Sequence, residues 1–220
     1  MRDLPKFVYV NECGPREGFQ FEKHHIPTAR KIELVDALSE TGLKNIQVGS
    51  FVPAKNVPGM ADVDEVIKGF KKKDGVRYYG LWLNDKGLVR ALESRDRLSI
   101  EGKISLTASE PFLLRNQKRT MAQNVESQHR MLDMYREHNV PVDSASIMAA
   151  FGCNYAGDIA VQGIVDLVKL MIDMGAEHGY RIEHISLADT MAWATPMSIK
   201  RVLGTLKDRK STRLNSSHVA

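Results

Sequence analysis

Short runs of apolar residues alternate along this chain with segments whose apolar side chains return every three or four positions. The runs predict β-strands, and the periodic segments predict helices with one apolar face. Strand one is read at residues 7–10 (Phe-Val-Tyr-Val). A helix follows from Pro27 and Thr28, with Ile32, Val35 and Leu38 on one face and Gly42 where a helix terminator belongs. Strand two covers 46–52, a short helix 63–70, strand three 78–83, a helix 85–92 and strand four 103–108. The long segment 121–138 places Met121, Val125, Leu132 and Tyr135 in one stripe. Strand five is read at 146–151. The clearest helix spans 161–174, with Val161, Ile164, Val165, Val168, Met171 and Ile172 on one face. Strand six at 182–187 and a helix at 198–206 complete the pattern.

This is six strand–helix units in 220 residues. Strands separated by helices must run parallel, because each crossover returns the chain to the same direction. Two architectures fit: an open, doubly wound sheet and a (β/α) barrel. Eight units close the usual barrel, in about 250 residues. Six therefore predict either an open sheet or a barrel lacking its last quarter.

Composition narrows the function classes. Hydrophobic residues make up 43 % and charged residues 26 %, which is globular composition. The formal net charge is +4, and Lys210 and Arg213 in the C-terminal tail carry two of it. No basic block alternates with aromatics, and Lys71-Lys72-Lys73 reads as a solvated helix end, so nucleic-acid binding is disfavoured. Cys13 and Cys153 belong to no Cys-x-x-Cys pair and suggest neither zinc nor a disulfide framework. The start, Met1-Arg2-Asp3-Leu4-Pro5, lacks an apolar signal region, and no apolar run approaches a bilayer span. The expectation is a cytoplasmic protein with no membrane partner. Residues 1–209 read as the folded body. Residues 210–220 are polar and without period, and 211–220 resemble translated adapter sequence, so a disordered, non-native tail is expected.

The densest chemistry follows strand one: Asn11-Glu12-Cys13-Gly14-Pro15-Arg16-Glu17-Gly18-Phe19-Gln20. Gly14, Pro15 and Gly18 are read as a turn with Arg16 and Glu17 at its tip. An arginine presents a rigid fork of donors to a carboxylate or enolate oxygen, and a carboxylate ligates hard divalent ions. An ordinary loop with a local ion pair would read the same way. Position favours the chemical reading, since barrels place their sites at the carboxyl ends of strands. Small and polar residues recur there: Gln47 to Ser50, Asn84, Ser109-Glu110, Gly152-Cys153-Asn154-Tyr155, and Asp189-Thr190.

Gly14-Pro15-Arg16-Glu17-Gly18-Phe19-Gln20 resembles the Gly-Pro-Arg-Asp-Gly-x-Gln signature of the hydroxymethylglutaryl-CoA lyases, in the metal-dependent lyase superfamily that also holds isopropylmalate and homocitrate synthases. Three further stretches resemble the same family in order. They are Ser50-Phe51-Val52 with Val57-Pro58-x-Met60, then Gly152-Cys153-x-Tyr155-x-Gly157, then Ile185-Ser186-Leu187-x-Asp189-Thr190 with Thr195-Pro196. The resemblance implies an incomplete (β/α)8 TIM barrel. It implies retro-Claisen cleavage of 3-hydroxy-3-methylglutaryl-CoA to acetyl-CoA and acetoacetate, with a divalent Mg or Mn ion. It assigns Arg16 and Asp189 to catalysis, Glu17 to the metal, and Gln20, Gln47, Ser50 and Thr190 to the substrate pocket, with Gln20 supporting Arg16. His24, His25, His129, His138, His178 and His184 match no ligand of the family's metal.

Glu17 stands where most members have Asp, and Gln47 where many have Glu, which points to a divergent subgroup acting on a related 3-hydroxyacyl-CoA. The family's His-x-His metal pair, cysteine loop and final metal asparagine have no counterpart in the chain. The 220-residue product is therefore expected to be inactive and to bind Mg weakly. The expected partners are an acyl-CoA and, as an option, a second copy in a homodimer. Competing readings are an acetyl-CoA-condensing synthase or aldolase of the superfamily, and a non-catalytic α/β binding module.

Overall fold

The structure, a computed structural model, describes residues 6–22 and 24–213, with side chains through residue 208. It divides into two compact units, Met1–Ile100 and Glu101–Ala220. The first contains β1 (Asn11–Glu12), α1 (Gly14–Phe21), α2 (Thr28–Ser39), β2 (Asn45–Ser50), a 3-10 turn (Pro58–Met60), α3 (Val63–Gly69), β3 (Arg77–Leu81) and α4 (Asp85–Leu92). The second contains β4 (Gly102–Thr107), α5 (Glu110–Gln117), α6 (Met121–Glu137), β5 (Val142–Met148), α7 (Val161–Glu177), β6 (His184–Leu187) and α8 (Pro196–Arg213).

Each unit holds one parallel sheet, in the orders β1-β2-β3 and β4-β5-β6. Within each sheet, every strand thus lies beside its neighbour in sequence. A doubly wound sheet reverses its order at a switch point, and neither unit contains a reversal. The winding is that of a (β/α) barrel, as expected. β2 is covered on both faces: Ile46, Gln47, Val48, Gly49 and Ser50 are all buried, as parallel sheets require. Val35, Ile67, Phe70, Tyr78 and Leu88 pack the first unit; Ile104, Leu106, Leu113, Ile147, Ile164 and Met171 pack the second. Each such side chain contributes about 1.5–3 kcal/mol through burial.

The structure departs from the sequence reading in several places. Residues 7–10 are not a strand; they are exposed, and pairing begins at Asn11↔Asn45. In that register Tyr9 and Val10 would lie opposite Leu43 and Lys44. Those residues belong to the turn in which Gly42 takes φ +89°, so the apolar run has no ladder to join. Gly14, Pro15 and Gly18 do not make a turn but lie within α1. Pro15 sits at the second helical position, where its missing N–H costs nothing. Glu12 Oε1 accepts from Gly14 N at 2.5 Å, and Cys13 O accepts from Glu17 N at 2.7 Å. α5 was absent from the strand–helix reading, although Ser109 caps it by accepting from Phe112 N at 3.3 Å. β5 starts four residues earlier than its apolar cluster suggests, at Val142.

Two helix faces also differ. The buried line of α2 is Lys31, Val35 and Ser39, while Ile32 and Leu38 are half-buried. α6 buries Asn124 and Ser127 with Met131, Leu132 and Tyr135. Polar groups fit there because α6 serves the backbone of β4: Ser105 N donates to Gln128 Oε1 at 2.8 Å, and Asn124 Nδ2 donates to Ser105 O at 3.4 Å. α8 runs on to Arg213, past the expected end at 206 and into the segment read as a tail. No Gly or Pro follows Gly204 in that stretch, so nothing breaks the helix. Residues 214–220 lie outside the described residues.

Candidate active site

In the first unit the site is built by laying α1 on β2. Arg16 and Gln20 are four residues apart on α1 and share a face. Arg16 Nε donates to Gln47 Oε1 at 2.7 Å, and Ser50 Oγ donates to Gln20 Oε1 at 3.3 Å. Gln47 and Ser50 would point to opposite faces of a regular strand. The register resolves this: Gln47 pairs with Tyr79, Gly49 with Gly80 and Ser50 with Leu81, so Val48 is an extra residue in β2. Tyr79 and Leu81 share a face of β3, and the bulge brings Gln47 and Ser50 to that same face. The sequence reading gave Gln20 the support of Arg16; the structure gives that task to Gln47 and pairs Gln20 with Ser50.

Arg16 Nη2 also meets Glu17 Oε1 at 2.5 Å. Its side chain is largely covered, whereas that of Glu17 is about half exposed. The guanidinium is therefore fixed at Nε and at one terminal nitrogen. It keeps terminal N–H donors for an incoming anion.

A buried ion pair below α1 fixes its seat. Lys31 Nζ lies 2.6 Å from Asp62 Oδ1 and donates to Gly59 O at 2.7 Å, with the Phe19 ring 5.7 Å away. Thr28 Oγ1 donates to Asp62 Oδ2 at 2.7 Å. Burial works to raise the Asp62 carboxyl, but Lys31 and Thr28 together outweigh it and hold it below its ordinary value. Gly59 allows the close approach of α1, because a Cβ there would stand 2.3 Å from Phe19 O. Lys31 and Asp62 escaped the sequence reading; the signal was a cation occupying the same helix line as Val35 and Ser39. Behind Gln47, Tyr79 has its phenol pushed up to about 12, by burial first and then by Cys13, whose Sγ lies 3.8 Å from the hydroxyl.

In the second unit, Asp189 and Thr190 follow β6. Asp189 Oδ1 accepts from Trp193 N at 2.8 Å, and Oδ2 accepts from Ala194 N at 3.0 Å. Asp189 does not cap α8. Thr195 does, accepting from Ser198 N at 3.1 Å while Ser198 Oγ accepts from Thr195 N at 2.8 Å. Thr190 Oγ1 accepts from Ala149 N at 2.9 Å, where Ala149 has φ +54° at the end of β5. Trp193 Nε1 donates to Asn154 Oδ1 at 2.7 Å, and its ring covers Gly152, whose φ is +155° and whose Cβ would lie 2.5 Å from that ring. Beside them Cys153 is fully buried. Burial works to raise its thiol, but Ser109 Oγ at 3.0 Å and the amides of Tyr155 and Ala156 outweigh it and hold the thiol below its ordinary value.

Within their own units, Arg16 and Gln20 lie on the helix that follows β1, Ser50 ends β2 with Gln47 inside it, and Asp189 and Thr190 follow β6. Among the described residues no three His, Cys, Asp or Glu side chains form a group able to hold a metal ion. Cys13 and Cys153 are free thiols. No helix of the described residues is long and apolar enough to cross a membrane.

Residues 8–219 match the family model described as HMGL-like. The chain is 37 % identical over 201 residues to the cytoplasmic 3-hydroxy-3-methylglutaryl-CoA lyase of Homo sapiens, covering 91 % of this chain and 51 % of that protein. It is also 37 % identical to the 3-hydroxy-3-isohexenylglutaryl-CoA/hydroxy-methylglutaryl-CoA lyase of Pseudomonas aeruginosa, of which it covers 64 %. The chain thus spans about half to two-thirds of the length of these relatives. The solved hydroxymethylglutaryl-CoA lyase of Pseudomonas aeruginosa superposes with a TM-score of 0.79 at 36 % identity, over 93 % of this chain and 65 % of that one. A lyase of Acinetobacter baumannii, solved with coenzyme A and 3-methylmalate, superposes with a TM-score of 0.75 at 30 % identity, over 92 % and 63 %. The fold is accordingly α/β, an incomplete (β/α)8 barrel.

Proposed function

Because the chain belongs to the HMGL-like family, we propose that it is a hydroxymethylglutaryl-CoA lyase-like enzyme, a carbon–carbon lyase acting on 3-hydroxy-3-methylglutaryl-CoA or a related 3-hydroxyacyl-CoA. The observation that carries this reading is Arg16, clamped by Gln47 and Glu17 at the exit of two adjacent parallel strands. An acyl-CoA as substrate is supported by the coenzyme A held by the Acinetobacter relative. A cytoplasmic setting is supported by the human relative's printed location and by the two free thiols.

The reaction removes the proton of the tertiary hydroxyl and breaks the bond between the carbinol carbon and the carbon beside the thioester. The bonding pair passes to that carbon as a thioester enolate; the carbinol carbon becomes the ketone of acetoacetate, and protonation of the enolate gives acetyl-CoA. In the proposal the free donors of Arg16 bind the enolate oxygen as charge develops, a contribution worth about 3 kcal/mol of barrier. Gln47 holds the guanidinium in place, Gln20 and Ser50 contact the acyl portion, Thr190 lines the pocket, and Asp189 takes the hydroxyl proton. A divalent ion, Mg or Mn, is the cofactor the family resemblance implies, with Glu17 as its ligand. The described residues do not fit it by themselves, because Glu17 is the one carboxylate proposed for it and already meets Arg16 at 2.5 Å. No step is derived through the ion, and the 220-residue chain alone is proposed to turn over poorly.

Two measurements test the proposal. Calorimetric binding of hydroxymethylglutaryl-CoA needs no turnover, and coupled detection of acetoacetate with Mg or Mn present reads the chemistry. Arg16→Ala is expected to weaken thioester binding and to lower any acetoacetate formation at least 100-fold. If wild type and Arg16→Ala bind alike and neither makes acetoacetate, the lyase reading fails.

A further inference from the structure

In the second unit, away from Asp189 and Thr190, two imidazoles meet between helices. His129 lies on α6 and His178 directly follows α7. Their ring nitrogens, His129 Nδ1 and His178 Nε2, are 2.9 Å apart, with the rings tilted by 41°. His178 is nearly buried, and its other nitrogen, Nδ1, is the one buried side-chain polar atom without a hydrogen bond among the described residues. That nitrogen stands 3.1 Å from Asp133 Oδ1, off the hydrogen-bonding line. Arg136 shares the same carboxylate oxygen at 3.1 Å, and Glu177 Oε2 lies 4.0 Å from His129 Nδ1.

We propose that His129 and His178 form a two-imidazole site for a soft-to-borderline divalent transition ion, Cu(II) first and Ni(II) next, that clips α6 to α7. The ligand type guides the choice of ion, since imidazole nitrogens follow the order that places Cu(II) at its top and Ni(II) next. With metal–nitrogen bonds of about 2.0–2.1 Å, neighbouring ligands at right angles stand about 2.9 Å apart, and tetrahedral ligands about 3.3 Å apart. The observed 2.9 Å is the hydrogen bond of the metal-free pair, with N–H and lone pair directed along the N···N line; both rings turn off that line to hold an ion at adjacent corners, at nearly the same spacing. The carboxylate beside His178 Nδ1 favours a proton on that nitrogen, which leaves Nε2 as the lone pair. In the metal-free protein His129 Nδ1 then carries the proton between the two rings. On binding, that proton moves to His129 Nε2, and both lone pairs face the ion. Water completes the shell, since no third strong ligand is in bonding range. This site is independent of Arg16 and of the lyase reading.

The test titrates Cu(II) into the full metal-free chain, with Mg present, by calorimetry and by electron paramagnetic resonance. Wild type is expected to bind one Cu(II) with hyperfine coupling from two imidazole nitrogens. His129→Ala and His129→Gln should each weaken binding at least tenfold and lose the two-nitrogen signal, and Asp133→Asn should weaken it about tenfold. His129 is half-exposed, so these variants should melt in the metal-free state as wild type does, which separates lost ligation from lost folding. A His24→Gln/His25→Gln double variant should keep the signal. Absence of copper binding in wild type, binding indifferent to His129, or loss of the signal in the His24/His25 variant would each overturn the site.

Discussion

The closest backbone approach in the first unit offers a quantitative test of how Arg16 is held. At Gly59 a Cβ would lie 2.3 Å from Phe19 O and 3.3 Å from Phe19 C. Ordinary contact begins near 3.4 Å, so Gly59→Ala lacks about 1 Å of room. The obstructing atom is a helix carbonyl, which cannot swing aside as a side chain would. α1 must therefore lift from the 3-10 turn, carrying Arg16 Nε away from a 2.7 Å hydrogen bond. Overpacking of this kind costs about 1–3 kcal/mol. At about 2–4 °C per kcal/mol for a chain of this length, calorimetry should record a fall in Tm of about 2–12 °C. Gly18→Ala is the paired control. It lies on the same helix with nothing within 4 Å of its Cβ, and alanine is the better helix former by up to about 1 kcal/mol. Its Tm should stay level or rise by about 2–4 °C. Equal melting of Gly59→Ala and wild type, or an equal fall in Gly18→Ala, would refute the seating of α1 on Gly59.

Removing Lys31 leaves Asp62 as an uncompensated, mostly buried charge, so Lys31→Ala should lose about 3–5 kcal/mol of stability in urea unfolding at neutral pH. Because the folded carboxyl lies below its ordinary 3.8, the stability it contributes is present above that value and fades as pH falls through the folded one. The difference between Lys31→Ala and wild type should therefore shrink in acid, below about pH 4. Tyr79, pushed up to about 12, contributes stability below its ordinary 10.0 that is lost as pH rises through 12. Ultraviolet titration should show Tyr79 ionising at about 12, with Tyr180 also late because burial raises it, and Tyr79→Phe should remove the step at about 12.

Much of the fold was legible because helix starts carry local chemistry. Val63, Asp85, Met121 and Val161 begin α3, α4, α6 and α7 where the pattern placed them; Asn84 accepts from Gly87 N, and Thr120 with Gln123 forms a capping box. Strand positions were less legible. Phe7 to Val10 has the composition of a strand, but strand formation depends on a partner at the right register, which one segment does not reveal. β5 was displaced toward residues 146–151 because its first half, Val142-Asp143-Ser144-Ala145, is pleated and partly polar. At the site, the residues Arg16, Glu17, Gln20, Gln47 and Ser50 could be nominated from spacing and family resemblance. Their pairing could not, because it depends on a bulge in β2 and on a lysine buried beneath α1. The two-histidine contact between α6 and α7 was invisible for the same reason: its members lie 49 residues apart.

The extra residue in β2 makes strand length a determinant of chemistry here. Straightening β2 at its present length would swing Ser50 through half a turn, away from the face of Gln47 and out of reach of Gln20, whereas excising Val48 would leave the two on one face of an even pleat. A relative with a strand of this length but no bulge could keep the arginine clamp but would need a different hydroxyl to greet the second helix side chain. Within this lineage, loss of Val48 should therefore keep both contacts, whereas loss of the bulge at unchanged length should break the Gln20–Ser50 contact before it alters the fold.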